Sequence, residues 1–170
     1  MLDLTLNRIF LNIEDKNLLI SINTETHKIA NSWKTDPCDG PSGLAIDEKN
    51  HHLFSVCENE KMVMIDGKNG KILAEVTIGK GADGAVYDSE LGLAFSANGK
   101  SGTLTIAKFQ APDQLILVQN LKTQASARTI ALDPKTHRIY LPAATLEPAK
   151  AGERPKVKEG SQKVLVVTPE

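Results

Sequence analysis

The chain has 170 residues, a mass of 18.4 kDa, a formal net charge of −1 and an isoelectric point near 6.4. Its 20 Lys and Arg against 21 Asp and Glu leave no basic footprint for a nucleic-acid backbone, and 41% hydrophobic residues are too many for intrinsic disorder. No apolar run approaches the ~18 residues that cross a bilayer, and the opening MLDLTLNRIFLNIEDK, interrupted by Asp3, Arg8 and Glu14 and lacking a basic start, does not read as a signal peptide.

Read in order, the chain divides into repeated units. Asp3 precedes Phe10, Asp47 precedes Phe54, Asp88 precedes Phe95 and Asp133 precedes Tyr140, each by seven positions, with the aspartates 44, 41 and 45 residues apart. LDLTLNRIF, IDEKNHHLF, YDSELGLAF and LDPKTHRIY align without gaps, and LLISINTETHKIANSW matches MVMIDGKNGKILAEV with one. Inside a unit the runs are short and rich in β-branched and aromatic residues: GLAID, HLFSVCEN, KMVMID and KILAEVTI, separated by turn formers such as DGKNG at 66–70. Asn69-Gly70 and Asn98-Gly99 suit tight reversals where φ is positive. No segment carries a helical apolar period.

Short strands recurring every 40–45 residues predict an all-β fold of β-propeller blades, each a four-stranded antiparallel sheet. The blades fall at about 1–35, 41–79, 83–122 and 127–168, the first and last incomplete. Between 146 and 162 the text LEPAKAGERPKVKEGSQ, with seven charges of both signs, reads as a solvated loop insertion or as a lid or docking arm.

RIFLN followed by LLISINTETHKI, with RIYLP in the last unit, resembles the YVTN repeat of bacterial and archaeal β-propellers. CDGPSGLAID, HHLFSVCEN, GKGADGAVYD, GLAFSANG and ARTIALDPKTHRIYLP resemble its YncE-like branch, over about residues 2–168. The resemblance implies a ring of about seven blades, an exported protein, periplasmic or secreted, and no common chemistry. Against it, the first unit retains only the end of its innermost strand and the last stops at its third strand. That leaves a half-ring with two open edges. The expectation is a homodimer completing a ring of about eight blades; a truncated product is the alternative.

Residues alike in every unit belong to packing, and residues that vary within a constant frame are candidates for ligand contact. The repeated aspartates are of the first kind, their carboxylates accepting turn N–H groups. Ser42, Asp83 and Arg128, just before the innermost strands, and Asn98 and Asn59, at the ends of the second strands, are of the second kind. All five are expected on the loop-rich face beside the channel mouth, as ligand contacts or as a solvated rim. Hairpin register sets Cys57 opposite about Pro41, within reach of Cys38 for the Cα separation a disulfide needs. The resemblance implies a Cys38–Cys57 bridge; two separate thiols are the alternative. His51 and His137 occupy the same repeat position and read as turn residues.

No CxxC, CxxCH, HExxH or GxSxG is present, and GKS at 99–101 lacks a phosphate-loop glycine, since Ala94 stands there. No catalytic residue, metal or cofactor is therefore expected. The reading is a non-enzymatic scaffold binding a protein, peptide or surface polymer. The alternative is a lactonase-like propeller enzyme with a channel-mouth cation, against which Asp83 is the one inward carboxylate and faces Arg128.

Overall fold

A computed structural model describes residues 1–149 and 155–169. Three four-stranded antiparallel sheets and one three-stranded sheet follow one another along the chain as blades. The first holds β1 (Leu2–Asp3), β2 (Arg8–Ile13), β3 (Leu18–Asn23) and β4 (Ile29–Lys34). The second holds β5 (Pro41–Asp47), β6 (His52–Cys57), β7 (Lys61–Asp66) and β8 (Ile72–Thr77). The third holds β9 (Ala82–Asp88), β10 (Leu93–Asn98), β11 (Thr103–Gln110) and β12 (Gln114–Lys122). The fourth has only β13 (Ala131–Asp133), β14 (Arg138–Ala143) and β15 (Lys163–Val167). One turn of 3₁₀ helix at Glu14–Lys16 is the sole helical element among the described residues.

Every sheet is an up-and-down meander, so sequence order is spatial order. The two middle strands of the second blade, HLFSVC and KMVMID, are buried nearly throughout because a neighbouring blade covers each face. The outer strand β8 alternates between half-buried and exposed, as a strand with one wet face does.

The core lies between blades. Phe10 and Leu19 of the first meet Leu53, Val63 and Ile65 of the second. Phe54, Met62 and Met64 of the second meet Ala85, Ala94 and Ala107 of the third, large side chains filling the space that alanines leave. Phe95 and Leu104 then meet Ile139 and Leu141. The first strands converge closely. A Cβ on Gly43 would lie 2.7 Å from the Asp83 carbonyl oxygen, and one on Gly84 would lie 2.8 Å from that of Arg128. Only glycine lets successive backbones approach so near.

The repeated aspartate is the blade-to-blade latch. One carboxylate oxygen accepts turn N–H groups: Leu6 on Asp3, Lys49 on Asp47, Leu91 on Asp88 and Lys135 on Asp133, at 2.9–3.1 Å. In the first three units the other turns to the following blade. Asp3 Oδ2 meets His51 Nδ1 and Asp88 Oδ2 meets His137 Nδ1, each at 2.7 Å. Both histidines sit four residues after their own unit's aspartate with left-handed backbone, φ 58° and 57°, as does Asn7 at 53°. In the third unit that position is Gly92, which has no side chain to offer. There the Tyr87 hydroxyl donates to Asp47 Oδ2 at 3.1 Å instead.

Candidate functional site

The loops joining second to third strands, and those leading into the first strands, gather on one side of the blades around a cleft of about 1320 Å³. It runs from Glu14 in the first blade to Val164 in the last. One wall is charged. Lys100 Nζ pairs with Glu58 at 2.6 Å, linking third to second blade, and Arg128 Nε lies 3.4 Å from Asp83 Oδ2, linking fourth to third. All four side chains are exposed, so the pairs cost little to separate and remain free to exchange partners. The hydrogen bond it donates to Glu58 holds the Lys100 ammonium above its usual pKa. Apolar Pro142, Leu146, Val157 and Val164 line the same cleft.

Of the five candidate contacts, the structure brings Ser42, Asp83 and Arg128 to this cleft. Ser42 spends its hydroxyl on the Val56 and Ala82 carbonyl oxygens, stitching the second blade to the third. Asn98 is fully buried, accepting from Ser96 and donating to Thr103 and Thr105. Asn59 accepts from the Asp39 N–H and donates to the Pro37 carbonyl, which holds the loop that carries Cys38. Asp83 and Arg128 are thus the pair left with polar atoms facing the cleft. Glu58 and Lys100 were not singled out from the sequence. Their signal lay in the same frame: Glu58 follows Cys57 and Lys100 lies two residues after Asn98, both just beyond the second-strand ends.

Cys38 and Cys57 are joined by a disulfide, their Cα atoms 5.5 Å apart, and Cys57 pairs with Pro41 in the β5–β6 ladder. The bond ties the loop before β5 to the end of β6, under the second blade's share of the cleft rim.

The insertion at 146–162 leaves β14 and returns to β15. Its base is a short antiparallel ladder: Leu146 bridges Val157, the Glu147 N–H donates to the Lys156 carbonyl and the Lys158 N–H to that of Thr145. Residues 150–154 of that insertion lie outside the described residues. Among the described residues no group of three or more His, Cys, Asp or Glu could hold a metal ion, and no helix is long and apolar enough to cross a membrane.

The blades superpose on those of solved propellers. Hydrazine synthase of Kuenenia stuttgartiensis matches 95% of this chain with a TM-score of 0.77 at 11% identity. A chain of the mitotic checkpoint complex matches 79% with a TM-score of 0.69 at 12% identity. The fold is a β-propeller. This propeller chain spans less than half the length of those two, 43% and 42%. No family model matches the sequence, and no curated protein does.

Proposed function

We propose that this chain is a non-enzymatic propeller scaffold of the YVTN, YncE-like kind, exported, that binds a protein or peptide in the cleft at its channel mouth. The observation that carries this reading is the cleft's mixed lining, charged Glu58, Lys100, Asp83 and Arg128 together with apolar Pro142, Leu146 and Val157. An extended peptide that places a charged side chain beside an apolar one meets both kinds of group. The exposed ion pairs can open to receive its charge. Leu146, Pro155 and Val157 at the base of the 146–162 insertion supply further contact surface.

Lactonase-like chemistry needs several oxygen ligands around a cation. Here Asp83 is engaged by Arg128, which disfavours that reading. Export is supported by the Cys38–Cys57 disulfide, a bond that persists in oxidising compartments. A second copy completing the ring is part of the same reading, because both end blades leave apolar faces open.

Selection of a displayed random-peptide library against the purified protein tests the proposal. Enriched peptides with adjacent charged and apolar residues, whose binding is lost in the Asp83→Ala, Arg128→Ala double variant, are expected. Lactone hydrolysis that fails in Asp83→Asn, or calcium retained by the purified protein, would overturn it.

A further inference from the structure

The latches that join neighbouring blades follow a rule, and the two end blades carry its unmatched halves. At two of the three junctions the aspartate is met by the next blade from the position four residues after that blade's own aspartate, as His51 meets Asp3 and His137 meets Asp88; at the middle one, where that position is Gly92, Tyr87 takes its place. Among the described residues no further blade packs on Asp133, and its Oδ2 accepts only from its own turn's Thr136, at 2.6 Å. At the other end of the chain Asn7 occupies the latching position with the same left-handed backbone as His51 and His137. Among the described residues its only side-chain bond is a long one, 3.5 Å to Glu25. The amide nitrogen of asparagine is attached to Cγ, as Nδ1 of histidine is. Asn7 therefore offers its N–H where the two histidines offer theirs.

A second latch runs the other way at the first junction. Arg8, five residues after Asp3, donates to the Gly67 and Lys68 carbonyl oxygens in the β7–β8 turn of the next blade, at 3.1 and 3.2 Å. Arg138, five residues after Asp133, has no hydrogen bond or ion pair among the described residues. The turn matching 66–70 in the first blade begins at Asn23. The Thr24 N–H donates to the Asn7 carbonyl as the Gly67 N–H donates to that of His51, and Asn23 Oδ1 accepts from Glu25 as Asp66 Oδ1 does from Lys68. Where Arg8 reaches a turn bearing Lys68, Arg138 would reach one bearing Glu25, a charge of the opposite sign.

The apolar faces agree. Tyr140, Val164 and Val166 stand on the fourth blade where Phe54, Met62 and Met64 stand on the second, and the two valines are 57% and 53% exposed. Leu2 and Ile9 stand on the first blade where Ile46 and Leu53 stand on the second, and are 44% and 42% exposed.

We propose that the fourth blade of one copy docks on the first blade of another through Asp133 with Asn7, Arg138 with the Thr24–Glu25 turn, and Tyr140, Val164 and Val166 over Leu2 and Ile9. Made twice about a twofold axis, the contact closes the ring and completes the cleft, whose wall at Pro142 and Val164 belongs to the docking edge. The inference rests on the reading that a second copy closes the ring, and names the residues that do it.

The test uses the full chain. A double variant, Asn7→Cys with Asp133→Cys, is treated with a short bis-maleimide. It is expected to run as a covalent dimer, while either single variant stays monomeric on a denaturing gel. Arg138→Glu is expected to weaken dimerisation roughly tenfold by placing like charges together, and Glu25→Arg in the same chain to recover most of that loss. Circular dichroism on each variant separates weakened association from unfolding. A dimer by mass that neither cross-links nor responds to the charge exchange would overturn these contacts and leave the second-copy reading standing. A native monomer at all concentrations would overturn both.

Discussion

His137 Nδ1 lies 2.7 Å from Asp88 Oδ2, repeating two junctions later and at the same distance the contact of His51 with Asp3. Two blades are held by an imidazole that must keep its Nδ1 proton toward the carboxylate. The hydrogen bond that its Nδ1 donates to Asp88 raises the His137 pKa above its ordinary 6.5, and the charges of Asp88, Glu90 and Asp133 act in the same direction. A raised folded-state value means that the stabilisation is fully present below the unfolded pKa and is lost as pH rises through the folded one.

Proton NMR is therefore expected to give His137 a titration midpoint above 6.5, returning toward it in Asp88→Asn. A midpoint at or below 6.5 in the native protein would contradict the latch. His52 moves the other way, because burial lowers its pKa, and serves as an internal comparison.

At the middle junction the Tyr87 hydroxyl substitutes for a missing histidine by donating to Asp47. Its phenol is pushed well above the usual range, first by burial and then by the Asp47 charge, so it stays protonated and donating. Tyr87→Phe removes one charge-assisted hydrogen bond, with an expected loss of about 1 kcal/mol in urea unfolding. An unchanged midpoint would show that Asn50, which donates to the same oxygen, suffices alone.

Gly43 allows the second and third blades to converge. A Cβ there would press on the Asp83 carbonyl oxygen at 2.7 Å and the Ala85 nitrogen at 2.9 Å, both backbone atoms that cannot swing away. Gly43→Ala is expected to cost about 1–3 kcal/mol, read as a lower thermal midpoint. Tolerance of alanine would mean that the blades splay further apart than described.

The disulfide spans 19 residues of chain. Closing a loop of that size restricts the unfolded state by about 3 kcal/mol in the chain-entropy account, so Cys38→Ala with Cys57→Ala should lower stability by up to that amount. Titration of denatured, unreduced protein is expected to find no free thiol. Two thiols per chain would contradict the bridge.

The blade count, the aspartates' service to their own turns and the Cys57–Pro41 register were all legible because each is local or repeats at a fixed spacing. The cross-blade use of His51 and His137 was not. Their alignment explained them as turn residues, yet their partners lie 48 and 49 residues earlier, and nothing local advertises such a pair. That near-constant offset from the preceding unit's aspartate was the available signal. Asn98 stood out because it is polar and differs from the aligned Cys57. Its amide is consumed by Ser96, Thr103 and Thr105, a network whose members come from two strands. Variation within the frame identifies where side chains differ, but burial decides which of them face a ligand.

These four blades are proposed to be completed into a ring by a second copy of the same chain. Sedimentation equilibrium across a range of protein concentrations measures it most directly. The predicted result is a mass of roughly twice 18.4 kDa, with dissociation only on dilution. A folded species that remains at 18.4 kDa at every concentration would contradict it.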